Sequence, residues 1–156
     1  MQFGTGPILL HSEVATAALA ARIAPRLRAG DCLLLSGPIG AGKSAFARAL
    51  IRARLDRPNE DVPSPTFTLV QTYDAGDVTL WHADLYRLTH PDEAVELGLE
   101  QAFEDAICLI EWPDRLGDLA PETALSLTLA ATADGSHTVT ITGPTHWQQR
   151  LAGCLD

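Results

Sequence analysis

Gly37-Pro38-Ile39-Gly40-Ala41-Gly42-Lys43-Ser44 is the stretch from which the fold is read. It carries glycine at its first and sixth places and closes on Lys-Ser, the pattern of a phosphate-binding loop. Cys32-Leu33-Leu34-Leu35 precedes it, a short apolar run of the kind a buried parallel strand shows. After it, Ala45, Phe46, Ala49, Leu50 and Ala53 recur at helical spacing, with Arg48, Arg52 and Arg54 filling the polar side. Strand, glycine loop and helix, in that order, predict an α/β fold of the P-loop NTPase class. The expected architecture is a mostly parallel central sheet flanked by helices, within a single domain spanning residues 1–156.

The residue types fit phosphate chemistry. Glycines let backbone N–H groups approach phosphate oxygens without a side chain in the way. A helix N-terminus adds partial positive charge at the same point. Lys43 is placed to reach the β- and γ-phosphates, and the Ser44 hydroxyl to ligate Mg²⁺. Lys43 is also the sole lysine of the chain. The plain alternative is a glycine-rich turn that joins strand to helix, and the matching flanks favour a nucleoside triphosphate site.

Composition bounds the rest. A chain of 156 residues with 46% hydrophobic and 20% charged residues is that of an ordinary globular protein. No apolar run approaches a membrane span and no signal-peptide pattern opens the chain, so a cytoplasmic location is expected. Cys32, Cys108 and Cys154 have no metal or redox spacing and read as small buried thiols. A net charge of −9 has the wrong sign for gripping nucleic acid unaided. Six acids between Asp92 and Asp105 read as a solvated helix face or as a docking surface for a basic protein.

In chain order, Ile8-Leu9-Leu10 predicts a short strand or an entry segment, and Ser12 an N-cap. A helical stripe of Val14, Ala17, Ala18, Ala21 and Leu27 is expected to run toward Gly30, kinked or shortened by Pro25. Pro63-Ser64-Pro65-Thr66-Phe67 reads as a stiffened loop that presents Thr66, or as a plain linker. Thr66 to Tyr73 and Val78 to Ala83 form one expected hairpin, and Ala124 to Ala131 with His137 to Thr142 a second. Pro91 opens an acidic helix with Gly98 near its end. Ala106 to Trp112 is an apolar strand that delivers Glu111 at its C-terminal end, where α/β sheets place ligands.

Two acids could therefore serve a metal, Asp84 and Glu111. Glu111 is favoured because it ends an apolar strand, which leaves Asp84 to orient water or a group behind the metal ligands. His82 reads as a satisfied strand histidine in preference to a catalytic group, and Trp112 as core in preference to a pocket wall.

Absences narrow the class. An Asn-Lys-x-Asp guanine motif cannot exist where Lys43 is the sole lysine. Past the loop helix and Arg57, Arg87, Arg115 and Arg150 are scattered, so the Arg-rich lid of a small kinase is missing.

The assembled motifs resemble a known family. Gly40-Ala41-Gly42-Lys43-Ser44, Ser64-Pro65-Thr66-Phe67-Thr68-Leu69-Val70, His82-Ala83-Asp84-Leu85-Tyr86-Arg87-Leu88, Glu96-Leu97-Gly98 and Ile110-Glu111-Trp112 occur in this order. The series is similar to the bacterial TsaE (YjeE) family, the ATPase of tRNA threonylcarbamoyladenosine biosynthesis, from about Glu13 to the Gly135 turn. The resemblance implies a cytosolic protein that binds ATP or ADP with Mg²⁺ and joins the TsaB–TsaD pair, which itself performs the transfer to tRNA. By position it implies Ser44 and Glu111 as Mg²⁺ ligands. Gly37 and Ile39, Gly40, Ala41, Gly42, Lys43 and Ser44 would hold the phosphates. Thr66 would lie in a switch-like loop, Asp84 in the hydrolytic site, and Glu13 and the Gly135 hairpin near the nucleoside.

The chain departs from the family at three places. Ala45 replaces a common second hydroxyl, Pro38 a common acid, and Gly135-Ser136 a Gly-Arg pair. Two other classes stay open on sequence: a small-molecule kinase, and a nucleotide-sensing module without hydrolysis.

Overall fold

In the computed structural model, which describes residues 2–155, eight strands form one sheet. The strands are β1 (Gln2–Gly4), β2 (Ile8–Leu10), β3 (Cys32–Ser36), β4 (Val70–Asp74), β5 (Thr79–Asp84), β6 (Ile107–Glu111), β7 (Leu125–Ala131) and β8 (His137–Pro144). Their order is β1-β8-β7-β3-β6-β5-β4, with β2 also on β8. The four central strands β7, β3, β6 and β5 run parallel. Antiparallel partners flank both sides of this parallel centre, and they include the two expected hairpins, β4–β5 and β7–β8.

The parallel centre is covered on both faces, which explains its unbroken apolar runs. Every residue of β6 is buried. Alternate residues serve opposite layers, as the period of a strand requires. Leu33, Leu35, Ile107 and Leu109 pack into the layer formed with α1 (Glu13–Ile23) and α2 (Lys43–Leu55). Cys32, Cys108 and Ile110 face the other layer, built from α3 (Asp92–Glu96), α4 (Leu99–Asp105) and Leu116. A last helix, α5 (His146–Arg150), buries Trp147 completely in the first layer.

Ser12 caps α1 as expected, its hydroxyl accepting from the Ala15 amide. Pro25 also acts as expected, ending α1 at Ile23 and leaving one 3₁₀ turn, Ala24–Arg26. The expected buried stripe of α1 is corrected. Thr16, Leu19, Ala20 and Ile23 face the core, whereas Val14, Ala17, Ala18 and Ala21 are exposed. Both sets have helical spacing, two residues out of phase, which puts them on opposite sides of a helix with roughly 100° per residue. The larger apolar area of Leu19 and Ile23 decides which side is buried. Leu27 is buried as expected.

Two boundaries also differ. The first hairpin strand begins at Val70, because residues 66–68 form a turn and Leu69 takes a left-handed conformation. The acidic helix is two short helices, since Gly98 at φ 88° ends one and begins the next. Asp92, Glu96, Glu100, Glu104 and Asp105 all lie exposed on them.

Candidate functional site

The glycine-rich loop leaves the C-terminal end of β3 and turns into α2. Two of its glycines are demanded by geometry. Gly37 sits at φ 141° against β7, where an added Cβ would meet the Leu129 carbonyl oxygen at 2.3 Å. Gly42, at φ 100°, is the left-handed residue from which α2 starts. The loop is thus pressed onto the sheet, and its last two residues, Lys43 and Ser44, occupy the first turn of α2.

The Lys43 side chain is buried and curls back over the loop. Its amine donates to the carbonyl oxygens of Gly37 (2.5 Å) and Pro38 (3.0 Å) and lies 4.3 Å from the centre of the Trp112 ring. Burial pulls its pKa below the ordinary lysine value, opposed by the nearby carboxylates of Glu111 and Asp84.

Ser44 meets Glu111 across the mouth of the sheet. The hydroxyl stands 3.0 Å from one Glu111 oxygen and 3.2 Å from the other. Because β5 and β6 are parallel and in register, Asp84 lies directly beside Glu111. Both carboxylates are buried, at 8% and 2% exposure, so each depends on internal hydrogen bonds. Asp84 accepts from the Tyr86 amide at 3.1 Å. Glu111 takes a second bond from inside, from Nε2 of His82 at 2.7 Å. A hydroxyl and a carboxylate oxygen this close, with a second acid beside them, form a hard-oxygen donor set suited to Mg²⁺. Ser44 and Glu111 are the pair that could hold it.

These groups line a cavity of about 540 Å³, the size of a small-ligand site. Around Ile39, Gly40, Gly42, Lys43 and Ser44 it is lined by Glu13, Thr66, Asp84, Glu111, Trp112 and His137, whereas Gly37 and Ala41 of the loop are not among its lining residues. Thr66 reaches the cavity from the proline-stiffened loop, its hydroxyl 3.0 Å from that of Ser64. Glu13 reaches it from the first turn of α1.

Gly135 is not among the lining residues. It occupies the hairpin turn, which Asp134 closes by accepting from the Ser136 amide. From this hairpin it is His137 that faces the cavity, its Nε2 3.1 Å from the Gly40 carbonyl oxygen. Sequence reading missed His137, and no spacing marks it. The pairing of β2 with β8, which sets Leu10 opposite His137, brings it near the start of α1.

Trp112 is a second correction. It is partly exposed and forms a cavity wall, tilted against Tyr86 at 5.0 Å, because its left-handed backbone (φ 59°) swings it out at the end of β6. His82 is half satisfied, with Nε2 on Glu111 and Nδ1 buried without a partner.

Fold and loop together define an α/β protein with a mostly parallel central sheet flanked by helices and a glycine-rich loop joining β3 to α2. A profile of the family described as threonylcarbamoyl adenosine biosynthesis protein TsaE matches residues 10–139. The chain belongs to that family. A TsaE protein of Rickettsia bellii is 37% identical over 91% of this chain and 98% of its own. One from Rickettsia conorii is 41% identical over 78% of this chain and 69% of its own. A third, from Bacillus subtilis, is 33% identical over 81% and 78%. The crystal structure of Bacillus subtilis YdiB superposes with a TM-score of 0.74 over 99% of this chain and 93% of that one. At 23% identity, that match speaks to the fold.

Proposed function

We propose that the chain is a Mg²⁺-dependent ATP-binding protein and weak ATPase. It would serve tRNA threonylcarbamoyladenosine formation in the cytoplasm, alongside a TsaB–TsaD-like pair. The observation that carries the reading is the contact of Ser44 with Glu111 at the N-terminus of α2, beside a lysine held over the loop.

In this reading the loop amides and the start of α2 receive the phosphates of ATP or ADP. The Lys43 amine leaves its two carbonyl acceptors for phosphate oxygens, which better suit a desolvated charge. Ser44 and Glu111 hold Mg²⁺, and the ion supplies charge neutralisation at the transferring phosphate. Asp84, beside Glu111 in the same cavity, orients the attacking water. Thr66 lines the cavity from its loop. Glu13 and His137 contact the nucleoside.

Slow turnover by the isolated chain follows from what lines the site. No arginine lines the cavity among the described residues, so beyond Lys43, the loop amides and the bound ion no further cation offsets charge developing on the γ-phosphate. A group supplied by a partner is worth on the order of 10³–10⁵ in rate in other phosphate-loop hydrolases. The test is steady-state ATP turnover by the chain alone, then with the TsaB–TsaD pair. Strong acceleration by the pair is expected. Fast turnover alone, unchanged on adding the pair, would defeat the reading.

A further inference from the structure

His82 sits behind the site, at 1% exposure and away from the cavity surface. It stands opposite Leu109 in the β5–β6 pairing, one strand repeat behind Asp84 and on the same face. Its Nε2 lies 2.7 Å from Oε2 of Glu111. A carboxylate only accepts, so Nε2 carries the hydrogen and donates it. Nδ1 is left in the core without a partner, an arrangement that costs stability and calls for another reason to keep the ring there.

The bond to Glu111 gives that reason. The Ser44 hydroxyl straddles both carboxylate oxygens, at 3.0 and 3.2 Å, and by itself does not fix how the group is turned. The terminal torsion of a glutamate is broad and roughly two-fold, so it settles only where something holds one oxygen. His82 holds Oε2 from inside the sheet. Oε1 is then turned toward Ser44 at the cavity. If the Ser44 hydroxyl turns to a cation, His82 is the partner that Glu111 keeps.

We propose that His82 is a positioning residue for the metal pair, fixing the rotation of the Glu111 carboxylate so that Oε1 faces the cation. The inference rests on the Mg²⁺–nucleotide reading above. Outer partners of metal ligands are commonly worth about 10–100-fold in metal affinity or activity.

The experiment measures the affinity of the full chain for a fluorescent ADP, with Mg²⁺ and with EDTA. The proteins compared are the unaltered chain, His82→Leu, His82→Asn and His82→Gln. The Gln amide nitrogen reaches about as far as Nε2, whereas that of Asn stops near Nδ1. The gain in affinity on adding Mg²⁺ should fall about 10–100-fold in the Leu and Asn variants. Affinity in EDTA should stay unchanged, and Gln should restore most of the gain.

The Nε2–H resonance of the unaltered protein provides a readout without any substitution. It should move on adding Mg²⁺ and ADP together, and stay in place with ADP alone. A full Mg²⁺ gain in the Leu and Asn variants, or a Gln variant no better than Leu, would overturn the proposal. So would equal weakening with and without Mg²⁺, or a resonance blind to the metal. If a variant does not fold, the resonance decides. Failure of the unaltered chain to bind nucleotide under either condition would remove the nucleotide reading itself, a result distinct from all of these.

Discussion

Replacing Gly37 by alanine separates what the loop's glycines do. The residue sits at φ 141°, a conformation that side chains rarely adopt, and such a backbone costs about 1–3 kcal/mol. The added Cβ would also lie 2.3 Å from the Leu129 carbonyl oxygen, well inside the 3.0 Å that real contacts respect. That oxygen belongs to β7 in the middle of the sheet, so the loop must lift. Overpacking of this kind adds about 1–3 kcal/mol. Together the two costs come to about 2–6 kcal/mol, or roughly 5–20 °C in melting temperature for a chain of this size.

Lifting the loop also displaces two acceptors of the Lys43 amine and, on the proposed reading, the amides that receive phosphate, and a shift of about 1 Å at such a site can cost 10²-fold. Gly40→Ala is the control. Gly40 also has positive φ, at 84°, but nothing lies within 4 Å of its added Cβ. It should lose about 1–2 kcal/mol, the ordinary left-handed penalty. Thermal and urea unfolding of both variants, with ADP affinity alongside, decide the matter. Equal losses at the two positions would refute the argument that the sheet contact makes Gly37 indispensable.

Lys43→Ala should abolish ATP binding while the protein stays folded, since the change also removes a buried charge; normal affinity in this variant would sink the site assignment. Glu111→Ala should weaken Mg²⁺-dependent nucleotide binding more than metal-free binding, measured by titration calorimetry with and without EDTA; the same signature from Asp84→Ala would reverse the two acids. Alkaline stability should fall from pH 9 upward. Burial first, and Asp105 second, push the Cys108 thiol up from 9.0 to about 12, and burial raises Cys32 as well. Above pH 9 the unfolded chain sheds protons that the folded chain keeps, so unfolding is favoured by up to about 1.4 kcal/mol per pH unit for each thiol. Urea unfolding between pH 8 and 11 checks this, and Cys108→Ala should flatten the slope. A slope unchanged by that substitution would contradict the assignment.

The sequence alone determined what depends on neighbours along the chain. Glycine spacing and Lys-Ser placed the loop, and apolar runs placed β3 and β6, because a strand covered on both faces is apolar at every position. Turn residues placed both hairpins, and the Ser12 cap and Pro25 set the ends of α1. Glu111 stood out because it ends such a run.

Tertiary structure decided what depends on contacts between distant segments. The phase of α1 was open because alanine and valine make nearly every side of that helix apolar, and only packing against the sheet chose Leu19 and Ile23. Trp112 as a wall followed from one left-handed residue that periodicity does not register. His137 lies over the loop at Gly40 through the pairing of β8 with β7 and of β7 with β3, and His82 meets Glu111 through the β5–β6 register. Register is a long-range property: it sets which side chains become neighbours across strands, and those neighbours lie about thirty to a hundred residues apart in the chain.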